Sequence, residues 1–68
     1  MSEAAAEIKA LGDSIEPGIT FDLDACESLT IVPKMFRKMA LKTIIKAAKA
    51  NGLTVITKEF AESQKPGG

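Results

Sequence analysis

Few side chains in this sequence could do chemistry. It contains no histidine, tyrosine or tryptophan and a single cysteine, Cys26. A nucleophilic thiol needs a base or a cationic neighbour to lower its pKa, and no imidazole exists to serve as that base. Cys26 therefore reads as a small apolar residue on the edge of a short helix. One thiol cannot close an intrachain disulfide, and without histidine the usual zinc ligand sets cannot be assembled within one chain. Neither a glycine-rich phosphate loop nor a Cys-x-x-Cys pair occurs. The remaining candidates are carboxylates and lysines, and their positions suit helix ends and solvated faces better than a convergent pocket. The expectation is a chain with no catalytic residue, no metal and no cofactor.

The charges are sorted along the chain even though the formal net charge is +0. Residues 1–29 carry Glu3, Glu7, Asp13, Glu16, Asp22, Asp24 and Glu27 against Lys9 alone, whereas residues 33–50 carry Lys34, Arg37, Lys38, Lys42, Lys46 and Lys49 and no acid. Two readings fit: the acidic front folds across the basic stretch, or each half meets a partner of opposite sign.

These groups must be positioned by short elements around one long helix. Pro33 suits the first turn of a helix, where its missing N–H has no partner to lose, and Gly52 suits the left-handed position just past the end. About eighteen residues at roughly 1.5 Å each give a helix of about 27 Å. Val32, Phe36, Met39, Ile44, Ala47 and Ala48 recur at helical spacing and predict one apolar face, widened by Met35, Leu41 and Ile45. A face that wide needs cover on more than one side.

Before the long helix, Ser2 can cap a short helix through Leu11 that Gly12 closes. Its apolar stripe of Ala4, Ile8 and Leu11 is thin, so the segment is expected to fray. Glu16-Pro17-Gly18 predicts a turn, and Thr20 or Asp22 can cap a helix carrying Phe21, Ala25 and Leu29 on one stripe. Pro33 disfavours the helical region for Val32, which predicts a corner. After Gly52, Leu53-Thr54-Val55-Ile56 reads as an extended connector lying across the helix pair, and Thr57 as the cap of a last helix with Phe60 inward. The expected fold is a small all-α domain of three helices at about 22–30, 33–50 and 57–64. Residues 1–17 are expected to be weakly ordered, 18–64 to form the domain, and 65–68 to be a flexible tail.

The order Ile19-Thr20-Phe21-Asp22, Asp24-Ala25, Leu29, Val32-Pro33, Arg37, Ala48, Gly52 and Ile56-Thr57 resembles the C-terminal domain of the B subunit of light-independent protochlorophyllide reductase. That domain has an aromatic residue followed by an acid-Ala pair, a Leu, an apolar-Pro corner, an Arg four residues on, then Ala, Gly and Ile-Thr. The likeness covers residues 19 to about 63. Two departures stand out: Phe21 replaces the usual Trp, and Ile45 stands where an acid is common. The resemblance implies a compact helical domain, appended in that family to a nitrogenase-like oxidoreductase of chlorophyll and bacteriochlorophyll synthesis and found also in short free-standing proteins. The cluster ligands and proton donor of that enzyme belong to its larger body, so no catalytic role is carried over. The matched residues Phe21, Ala25, Leu29, Pro33, Gly52 and Thr57 are explained by packing, corner and caps. Arg37 is expected to pair with Asp22, Asp24 or Glu27.

Together these readings predict a non-catalytic protein-interaction module, whose partner is a second copy or a larger oxidoreductase subunit and whose candidate surface is Lys34, Lys38, Lys42, Lys46 and Lys49. The alternative is a small nucleic-acid-binding protein that uses the basic helix 33–50. A pI of about 6.2, the lack of an Asn/Gln-rich face and the lack of an aromatic placed to stack on bases make nucleic acid the less favoured partner. No apolar run approaches the roughly 20 residues that a membrane span needs, and the N-terminus lacks a signal-peptide pattern, so the expected location is the cytoplasm.

Overall fold

The computed structural model describes residues 2–64, so the tail expected at 65–68 lies outside the described residues. The chain is mostly helical: α1 (Glu3–Ile15), β1 (Thr20–Phe21), α2 (Leu23–Ser28), a 3₁₀ turn (Leu29–Ile31), α3 (Lys34–Ala50), β2 (Val55–Ile56) and α4 (Lys58–Ser63). The expectation of a purely helical, three-helix domain is thus corrected twice. There is an additional, longer first helix, and β1 and β2 pair in parallel with Thr20 opposite Val55 and Phe21 opposite Ile56. The apolar connector after Gly52 does not simply lie across the helices. Its backbone finds partners in the ladder, with Thr20 N–H donating to Thr54 O at 3.0 Å and Asp22 N–H to Ile56 O at 3.0 Å.

Several local signals act as expected. Asp22 caps α2 by accepting from Ala25 N–H at 2.7 Å, and Thr57 caps α4 by accepting from Phe60 N–H at 3.2 Å. The turn after α1 closes with Ile19 N–H donating to Glu16 O at 3.2 Å. Gly52 has φ +69°, and the N–H groups of Gly52 and Leu53 return to Lys49 O and Ala48 O, the paired bonds of a Schellman C-cap. Pro33 makes the corner from the N-cap position, one residue before α3 begins.

α1 departs most from expectation. It does not stop at Gly12 and it is not set apart from the domain: Ala5 and Ile8 are fully buried, and Leu11 and Ile15 pack against the same core. The buried stripe is Ala5–Ile8–Gly12, displaced from the expected Ala4–Ile8–Leu11, and its small residues allow a close approach rather than supplying apolar area. Gly12 lies against the Phe21 ring, where a Cβ would stand 2.6 Å from Cδ1. The next residue reinforces that contact. Phe21 N–H points away from β2 and donates to Asp13 Oδ1 at 2.9 Å, while Phe21 O accepts from Lys9 Nζ at 2.9 Å. Lys9 also bonds Asp13 Oδ2 at 2.9 Å, and this bond is the main reason its pKa is raised. The free edge of β1 is therefore satisfied by two side chains of α1.

α3 buries only part of the apolar face expected of it. Leu41, Ile44, Ile45 and Ala48 enter the core, with Phe21, Ile8, Leu29, Ile56 and Cys26 as the other large members, while Phe36 and Met39 remain exposed. Ile44 and Ala48 of the expected face are buried together with Leu41 and Ile45 from its broadening edge, while Met35 from that edge is exposed. The cause is α1, which packs against the buried side of α3.

Three stability predictions follow from these contacts. Gly12→Ala gains about 1 kcal/mol of helix propensity but forces the buried Phe21 ring to move, at a cost of roughly 1–3 kcal/mol; a lowered midpoint in urea is expected, and a raised one would show that α1 does not dock as described. Gly52→Ala, where space is open but φ is positive, should cost about 1 kcal/mol or more, and an unchanged midpoint would contradict the left-handed cap. At the N-terminus, Glu27 accepts from the backbone N–H and hydroxyl of Ser2, each at 3.0 Å, which hold its carboxyl below the ordinary 4.5. With its folded pKa depressed, the contact is complete above the ordinary value and is lost as pH falls below it. An NMR titration should place Glu27 below 4.5, and Ser2→Ala should move it only part of the way back, because the backbone N–H remains; a Glu27 titrating at or above its ordinary value would mean that the N-terminus is not held there.

Candidate interaction surface

The matched residues of the sequence pattern fall into the scaffold. Phe21, Ala25 and Leu29 share the core, Pro33 caps α3, Gly52 ends it, and Thr57 caps α4. Only Leu29 and Pro33 among them border a common groove. Cys26 is buried and unpaired, and desolvation pushes its thiol pKa up, which keeps it protonated and unreactive. Among the described residues no group of three or more His, Cys, Asp or Glu is placed to hold a metal ion.

Arg37 is mostly buried, but its partners are not those expected. Its Nη2 donates to Val32 O at 3.3 Å, and Nη1 lies 3.8 Å from Glu7 Oε2. The acids of α2 do not reach it. Glu7 does so because α1 lies beside α3, a placement that the thin stripe of α1 did not reveal. Lys49, near the other end of α3, stands 3.4 Å from Glu16. The acidic front thus folds across the basic helix only at two points. Lys38, Lys42 and Lys46 between them, and Lys34 before them, are exposed and, among the described residues, form no ion pair.

Beside this lysine row, α3 presents bare apolar side chains. Ile31 is 77% exposed, Met35 81%, Phe36 52% and Met39 68%, in a domain whose other bulky side chains are mostly covered. Most of them border an open groove of about 570 Å³. One wall is α3, through Phe36, Met39, Ala40, Thr43 and Ile44; the other is the corner, through Leu29, Ile31, Val32 and Pro33, with Gln64 closing one end. No acidic or basic residue lines it. The sequence signalled this surface indirectly, in an α3 apolar face too wide for one neighbour, but hydrophobic spacing alone could not say which part would be left over.

The described helices include none long and apolar enough to cross a membrane. No protein-family model matches the chain, and comparisons with curated proteins and with solved structures gave no match.

Proposed function

We propose that this chain is a non-catalytic module that binds another protein through the exposed side of α3. The observation that carries the reading is the cluster of Ile31, Phe36 and Met39 around an uncharged groove, with Met35 one turn from Met39. Small domains rarely leave bulky apolar side chains together in water unless something covers them. Of the lysines proposed as the interaction surface, Lys42 and Lys46 form its flank rather than its centre. On the sequence resemblance, the partner class is a larger oxidoreductase subunit of tetrapyrrole metabolism, and the chain is an accessory to that chemistry. A free, buried thiol suits a reducing compartment and supports a cytoplasmic location. A second reading, binding of a nucleic-acid backbone, is favoured by the unpaired lysine row alone.

Affinity capture from native cell extract, with and without nuclease, separates the two, provided that a surface variant is run in parallel. Met39→Asp changes an exposed side chain and should leave thermal unfolding nearly unchanged. Protein partners that survive nuclease and are lost from the Met39→Asp chain are expected. Equal capture by both chains, or loss of all captured material to nuclease together with direct binding to oligonucleotides, would overturn the module reading.

A further inference from the structure

Resting on that reading, we infer that the groove takes an amphipathic helix of the partner protein, with bulky apolar side chains seated between α3 and the 3₁₀ corner and with Asp or Glu along the edge that meets Lys42 and Lys46. The dimensions suit a helix. The α3 wall runs from the corner at Pro33 to Ile44, which at 1.5 Å per residue is about 16 Å, or three helical turns. A partner helix of that length presents anchors at i, i+3 or i+4, and i+7, the spacing by which amphipathic helices enter apolar grooves.

The charge of the partner follows from the flank. At about 100° per residue, Lys42 and Lys46 lie on the α3 side that carries Met35 and Met39, next to the groove, whereas Lys38 lies on the far side of α3 from Phe36 and Ala40. The acids that reach α3 are spent on Arg37 and Lys49, leaving this row uncompensated. A second copy paired groove to groove through α3 does not supply what is missing. α3 has no acid along its length and none lines the groove, so an isologous pairing of two α3 helices about a two-fold axis sets no carboxylate against the lysines; antiparallel, it sets lysine flank against lysine flank. An anionic bilayer would satisfy the lysines, but a groove walled on both sides would meet a flat surface only at its rims.

Two synthetic helical peptides with the same apolar anchors, one with Glu and one with Lys along the flank, test the assignment against the full chain by fluorescence anisotropy. The Glu peptide should bind at least about tenfold more tightly. Phe36→Ala should weaken it, and the Lys42→Glu, Lys46→Glu double variant should reverse the preference. That reversal is a readout which general destabilisation does not produce. Equal binding of the two peptides would overturn the assignment. So would binding to phosphatidylserine vesicles but to neither peptide, or concentration-dependent dimerisation with no peptide binding. Failure of the Glu peptide, alongside continued loss of captured protein from Met39→Asp, would remove the acidic helix and leave the interaction reading standing; equal capture by Met39→Asp and wild type would remove both.

Discussion

The contact on which the rest of this small domain depends is that between α1 and the Phe21 residue of β1. A two-residue parallel ladder satisfies one edge of each strand and leaves the other edge of β1 facing the interior, where an unpaired N–H or C=O is costly. Asp13 and Lys9 take those two groups, each at 2.9 Å. They can do so only because Gly12, between them in sequence, lets the helix approach the Phe21 ring to a distance that any side chain would prevent. The side-chain contact and the backbone contact therefore support each other. Both are offered by one turn of α1, and both end on one residue.

This docking decides what α3 can bury. With α1 held against β1, its acidic residues lie close enough to α3 for Glu7 to approach Arg37 and Glu16 to approach Lys49. Such partly exposed pairs are worth little individually. They mark, rather than set, which side of α3 faces α1. Leu41, Ile44, Ile45 and Ala48 then fill the core, and the apolar residues roughly a third to a half of a turn away, Phe36 and Met39, are turned outward. The exposed groove is thus a consequence of the α1 dock.

How far the sequence could be read differs from element to element for physical reasons. Caps and breakers act within a few residues, so Asp22, Thr57, the turn at Pro17 and the left-handed Gly52 were all legible. Gly12 looked like a helix stop because glycine has that meaning in isolation; its role here is set by Phe21, nine residues away. The β1–β2 ladder was hidden because two-residue strands carry no alternation to detect, and their pairing depends on a long helical crossover. The width of the apolar face on α3 was visible, but its division between core and surface depends on where α1 sits. The lysine row was legible as a surface, whereas the groove beside it was not.

The energetics of the groove explain why the lysine flank would matter to any partner. Fully burying a bulky apolar side chain contributes about 1.5–3 kcal/mol, and Ile31, Phe36 and Met39 each have only part of their surface still to cover, so together they offer a few kcal/mol. Association costs roughly 4 kcal/mol or more in lost translational and rotational freedom. Apolar contact with these three residues alone would leave little surplus. The walls of the groove are also chemically uniform, so shape and hydrophobicity do little to distinguish one orientation of a bound helix from its reverse. A charged row on one flank supplies that distinction. It favours one register and one direction, speeds encounter with a partner of opposite sign, and opposes a basic one.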